Sequence, residues 1–322
     1  MTFRARGLYA SSSKEPGRFR WGPWMLLGGA LVVVLVVVTA VSVLANVVVH
    51  QTDRTDSYGG ASELRLDNRT GGRVEVTAVS GDEITVERSL RGGPLTDPEE
   101  SVDESGDGLD IEGRCEGLPF LSGCSIDYKV GVPEDVTVVL STVSGPVVAE
   151  ALTGELRVST TSGAVQIDGH AGDVNVETTS GSADLSGIAG SLTVQSVSGS
   201  IEASGEGLLL DVETTSGELE LEDFVAEEVR ASSVSGDIEL GGGFTTLEAE
   251  AISGDVEVDT DTPFTSMSVS TVSGDVELQV PEGVYDVVGE SVSGDREVSV
   301  DTSADADGRI EVDTTSGSVR IE

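Results

Sequence analysis

Residues 156–199 read LRVSTTSGAVQIDGHAGDVNVETTSGSADLSGIAGSLTVQSVSG, and one corner phrase returns in them three times: Thr161-Ser162-Gly163, Thr179-Ser180-Gly181 and Val197-Ser198-Gly199. The phrase continues outward in both directions, from Val79-Ser80-Gly81 and Val143-Ser144-Gly145 to Val292-Ser293-Gly294 and Thr315-Ser316-Gly317. From Gly145 the glycines are spaced 18, 18, 18, 18, 19, 18, 20, 20 and 23 residues apart. Between corners the side chains alternate with period 2, which is a strand pattern and not a helical one. Val174, Val176, Thr178 and Ser180 share one face with Asn175, Glu177 and Thr179 on the other; after Gly181 the parity shifts, so that Ala183 and Leu185 turn inward. The glycine at each shift is expected to supply backbone freedom for a tight corner.

A unit of 18–20 residues cannot bury its own apolar face, but stacked units can, each strand pairing in parallel with its counterpart in the next coil. The expected fold is an all-β, parallel β-solenoid, right-handed because parallel crossovers are. Inward Thr and Ser at the corners are expected to hydrogen-bond up the stack. The solenoid is expected over 63–322, with a polar stalk over 50–62 and a Gly-, Pro- and acid-rich insertion at 88–125. Propeller blades need longer units, about 40–50 residues.

Residues 24–49 contain no charged side chain. At about 1.5 Å per residue they are long enough for the ~30 Å hydrocarbon core. The tail 1–23 holds Arg4, Arg6, Lys14, Arg18 and Arg20 against Glu15, whereas everything after residue 50 holds 13 basic and 57 acidic residues. That asymmetry predicts one transmembrane helix over 24–49, a cytoplasmic basic tail and an extracellular C-terminal domain. Val43 and Ala45 also fit a signal-peptide cleavage site before Asn46, although the apolar run is longer than such peptides carry. No cysteine lies near the segment, which excludes a lipoprotein anchor.

The phrases LRLDNRTGGRVEV (64–76), YKVGVPEDVTVVLSTVSG (128–145) and SVSGDIEL (233–240) resemble the putative-adhesin β-strand repeat family of bacteria and archaea. The resemblance spans about 62–322. It implies the solenoid and a surface role and supplies no catalytic residues; the insertion departs from the family's plain repeat.

The net charge of −40 repels phosphate, so nucleic acid partners are excluded. The third residue after the corner glycine is acidic in seven successive units: Asp184, Glu202, Glu220, Glu239, Glu257, Glu277 and Glu297. Stacked at about 4.8 Å, these carboxylates read either as the salt-screened face of a halophilic archaeon's protein or as shared Ca²⁺ ligands. Gly-Asp corners at Asp82, Asp237, Asp255, Asp275 and Asp295 add to the second reading, but no nonapeptide or EF-hand calcium motif is present. The pattern therefore assigns no metal ligand or cofactor residue, and Ca²⁺ is the cation such a column would suit.

The residue before each Ser-Gly faces outward yet is Val, Ile or Thr, apolar at Val79, Val143, Val197, Val234, Ile252, Val272 and Val292. Such a column is either strand propensity or a contact stripe for a glycan, a partner domain or a second copy. Cys115 and Cys124, outside the membrane, are expected to form a disulfide. His50 and His170 are expected in solvent, and no catalytic triad or phosphate loop appears. The chain thus reads as a membrane-anchored structural or adhesive surface protein whose partner is an envelope glycan or surface-layer protein. A signalling scaffold acting through the tail is the alternative, and a carbohydrate-active enzyme a distant third.

Overall fold

A computed structural model describes residues 22–47, 50–93, 96–117 and 123–322. Strands dominate, and two long parallel ladders run the length of the molecule. The first stacks Thr137–Thr142, Leu156–Thr160, Val174–Thr178 and Leu192–Ser196 in register, so that Leu140, Val158, Val176 and Val194 lie over one another. The second stacks Val147–Glu150, Val165–Asp168 and Ala183–Ala189. Further along, Ile201–Thr214, Leu219–Ser233 and Ile238–Ser253 run continuously from one ladder to the other and pair along most of their length. The parallel β-solenoid expected from the corner spacing is what the chain forms. Its core is Val, Leu and Ile, with one column of rings in which Phe244, Phe264 and Tyr285 stack at 5.7 and 5.4 Å.

The corners differ from expectation in two ways. Thr160 and Thr178 are buried, but Ser162, Ser180 and Ser253 are exposed, because the chain turns one residue before the serine and breaks the alternation there. Nor, apart from Gly81, do the corner glycines adopt positive φ. Their requirement is close approach: a Cβ on Gly163 would sit 2.1 Å from the carbonyl oxygen of Gly145, and one on Gly181 1.9 Å from that of Gly163.

The units do not stack in chain order at either end. Glu63–Asn68 lies between Gly108–Gly117 and Thr137–Thr142, so a later segment caps the first coil. At the far end Gly308–Ser316 pairs with Ser266–Ser273 on one side and with Val284–Val288 and Ser291–Ser293 on the other. The last unit in sequence is therefore the penultimate coil in space. The stretch 88–125, expected as an interruption, supplies capping strands. Glu83–Gly92 adds antiparallel to Ser125–Val132, and Thr96–Ser105 adds antiparallel to Gly108–Gly117. The expected stalk is also a strand: His50–Gly59 pairs antiparallel with Glu83–Gly92 across ten residues and, among the described residues, forms the outermost strand of that sheet.

Before it stands a helix, Gly22–Val47. Among the described residues no helix is long and apolar enough to cross a membrane. The span expected over 24–49 includes 48–49, and the basic tail over 1–23 includes 1–21, all of which lie outside the described residues.

Candidate interaction surface

Each corner is built from inside outward. In four successive corners the buried Thr or Ser at the start accepts a hydrogen bond from the glycine N–H three residues on: Gly145 to Thr142 Oγ1 at 3.2 Å, Gly163 to Thr160 Oγ1 at 2.9 Å, Gly181 to Thr178 Oγ1 at 2.9 Å, Gly199 to Ser196 Oγ at 3.1 Å; the buried hydroxyls of Thr214 and Ser233 have no such partner. These bonds close those four corners on themselves. Inward hydroxyls bond up the stack instead in the last coils, as from Thr271 to the Gly254 carbonyl at 3.4 Å. With this residue inside, strand alternation turns the next side chain out. Val143, Val197, Val234, Ile252, Val272 and Val292 emerge 42–68% exposed, joined in one column by Thr161, Thr179, Thr215 and Thr315. Val79 is partly covered at the capped end.

Beside this stripe, Ser159, Glu177, Gln195, Glu213 and Ser232 form a second outward column. Between the two runs a shallow groove of about 540 Å³, floored by Thr160, Thr178, Ser196 and Thr214. It offers hydroxyls, carboxylates and branched methyl groups repeated at every coil, with no basic or aromatic side chain lining it. That chemistry suits a long neutral or cationic partner better than a small anionic substrate.

The acidic column lies on the other ladder, and the chain-order exchange interrupts it. Asp184, Glu202, Glu220, Glu239, Glu257 and Glu277 follow one another directly, but Arg320 stands between Glu277 and Glu297. Its guanidinium lies 3.4 Å from the Glu277 carboxylate. Partial burial, then the charges of Glu257, Glu218, Glu222 and Glu220, raise the pKa of Glu239. Three of the Gly-Asp corners have a structural use: Asp237, Asp255 and Asp275 accept the backbone N–H groups of Asp255 (2.9 Å), Asp275 (2.7 Å) and Ser318 (2.7 Å) in the next coil. Among the described residues no three His, Cys, Asp or Glu side chains converge as a metal site.

Cys115 and Cys124 are joined in a disulfide, their Cα atoms 6.2 Å apart. His50 is exposed, whereas His170 is 1% exposed, contrary to the solvated position expected for it. Backbone bonds hold the His170 turn in a column between its counterparts in the neighbouring coils: the Ala171 N–H donates to the Leu152 carbonyl and the Ala189 N–H to that of His170. Burial pushes the His170 pKa down, against smaller opposing effects of Gly154 and Asp173.

A polar clasp at the capped end was not anticipated from the residue pattern. Arg88 and Glu100, with side chains 3% and 5% exposed, form an ion pair; Arg88 also binds Asp56 and donates to the Tyr58 hydroxyl at 3.0 Å. Burial disfavours the Arg88 charge, and bonds to Glu100 and Tyr58 more than offset that. Tyr128 lies beside Glu100, and its pKa is pushed up by burial first and by that carboxylate second. The signal that could have found the clasp was parity: Ile84, Val86, Arg88 and Leu90 share the buried face of one strand.

Residues 206–322 match the model of the Toastrack DUF4097 family. No curated protein matches the chain. Solved structures with a similar chain path include one described as a putative adhesin from Bacteroides fragilis (13% identity, 85% of this chain and 97% of that one, TM-score 0.37). Another, from Parabacteroides merdae, is also described as a putative adhesin (11%, 84% and 96%, TM-score 0.39). A third, from Parabacteroides distasonis, is described as a putative lipid binding protein (12%, 85% and 97%, TM-score 0.38).

Proposed function

We propose that this chain is a membrane-anchored, non-catalytic surface module of a halophilic archaeon's envelope, with the solenoid outside and the tail 1–23 in the cytoplasm. The exposed Val/Ile/Thr column carries the reading. A continuous branched stripe on an otherwise strongly acidic surface is a hazard for an isolated protein and an asset for one that meets an extended partner. Such a partner is an envelope glycan or surface-layer protein laid along the coils. The uncharged run 24–49 and the charge difference across it support the anchor, the −44 after residue 50 supports a high-salt milieu, and the Toastrack match supports a surface role.

The test is adhesion of cells displaying the full chain to isolated envelope material. Val197→Asp with Ile252→Asp should reduce binding at least fivefold while the thermal midpoint moves by a few degrees at most. Deletion of 1–20 should leave binding intact. Unchanged binding by the double variant rejects the stripe as the contact, and loss of the phenotype with the tail favours the signalling scaffold.

A further inference from the structure

A sheet edge that ends a stack carries unpaired N–H and C=O groups, and proteins blunt such edges with charge, proline or brevity. Among the described residues, three of the end strands follow that rule. Thr96–Ser105 carries Pro98 and five carboxylates. At the opposite end, Ser291–Ser293 and Arg296–Val298 are three residues each. The strand His50–Gly59 is blunted least: ten residues with no proline, exposed except for Tyr58, its three charges Asp53, Arg54 and Asp56 being of mixed sign. Among the described residues it has one strand neighbour, Glu83–Gly92. Arg54 lies directly across from Arg88, which is taken up by Asp56 and Glu100, so it faces a like charge inside its own sheet.

We propose that the free edge of His50–Gly59 pairs antiparallel with the same strand of a second copy, around a two-fold axis through Thr55. This register sets Arg54 opposite Asp56 of the other copy twice, which supplies each Arg54 with a carboxylate. Opposed residues of an antiparallel pair share a face, so the neighbouring two-fold registers lie a whole residue away; a whole residue toward His50 sets Arg54 against itself. A whole residue the other way sets Asp56 against itself. Charge complementarity therefore selects one register. The two His50 residues then lie about 34 Å apart along the paired strands, and a two-fold axis along the membrane normal lets both helices enter one membrane. The pairing does not depend on what the stripe binds.

Both native cysteines are in the disulfide, so one added thiol reports alone. In the full chain, Thr55→Cys faces its own copy at a Cα separation of about 4.5–5.5 Å, within disulfide reach. Thr52→Cys lies about 20 Å from its copy. Mild oxidation in membranes should cross-link Thr55→Cys at least tenfold more than Thr52→Cys. Light scattering of the solubilised chain should give twice 33.1 kDa, and Arg54→Glu should reduce both signals at least fivefold with the strand content retained. A monomer that fails to cross-link at 55, equal cross-linking at 52 and 55, or indifference to Arg54→Glu overturns the proposal. An extended peptide from another protein occupying this edge would appear as the first of these.

Discussion

At the corner glycines the absent side chain matters more than the backbone angle. From Gly163 to Gly274, the position a Cβ would take faces the carbonyl of the glycine one coil away, at a separation too short for any side chain. Gly181→Ala should therefore force the coils apart and cost about 3 kcal/mol or more, in the range of severe overpacking. Gly123, where a Cβ would point into open space, should accept alanine without measurable loss; urea unfolding of the two variants makes the comparison. His170 is a second residue-scale case. Its folded-state pKa lies below the free value of about 6.5, so the unfolded chain binds the proton first, and stability falls as the pH drops below about 6.5. His170→Leu, stacked between the Leu152 and Ala189 turns, should remove that loss. The difference in thermal midpoint between pH 7.5 and 5.5 should shrink in the variant; an unchanged difference would show that other groups carry the acid sensitivity.

At the scale of elements, the repeat was legible because its physics is local: period 2, a buried hydroxyl, a glycine. The ends were not, because strand order there rests on pairing between segments far apart in the chain, and the corner phrase is the same in every coil. The spacing of 20, 20 and 23 residues before Gly317 marked the irregularity without revealing that Gly308–Ser316 inserts between two earlier coils. Likewise the 88–125 stretch reads as an insertion because its strands lack the phrase, although Gly108–Gly117 stacks in parallel on Glu63–Asn68. The clasp joins strands from both ladders through Arg88 and Glu100. Removing Glu100 leaves the buried Arg88 with the half-exposed Asp56 and the Tyr58 hydroxyl, so Glu100→Leu should cost about 3 kcal/mol, the low end for a broken buried pair. Replacing both, as Arg88→Met with Glu100→Leu, should recover much of that loss in a double-mutant cycle. Additive losses would mean that the two side chains do not act as a pair.

Across the whole molecule, charge is the dominant long-range force. Residues 133–322 hold 5 basic and 39 acidic side chains, spread along a rod whose coils keep like charges one step apart. Water and salt screen most of this, and the end exchange removes some of it by placing Arg320 between Glu277 and Glu297. Arg320→Glu turns those two neighbours from attractive to repulsive. Each unit pair at this spacing is worth about 0.9 kcal/mol in water before screening, and exposed pairs deliver less. The variant should thus lose on the order of 1–2 kcal/mol at low salt. Near 1 M NaCl, where the Debye length is about 3 Å, it should approach the parent protein. Millimolar CaCl₂ at fixed ionic strength should move neither, because among the described residues no three carboxylates converge on one point. Thermal unfolding followed by circular dichroism reads both dependences on one sample series. A calcium shift at constant ionic strength would assign the acidic column to cation binding, whereas a salt dependence alone makes it a surface that stacks comfortably only in brine.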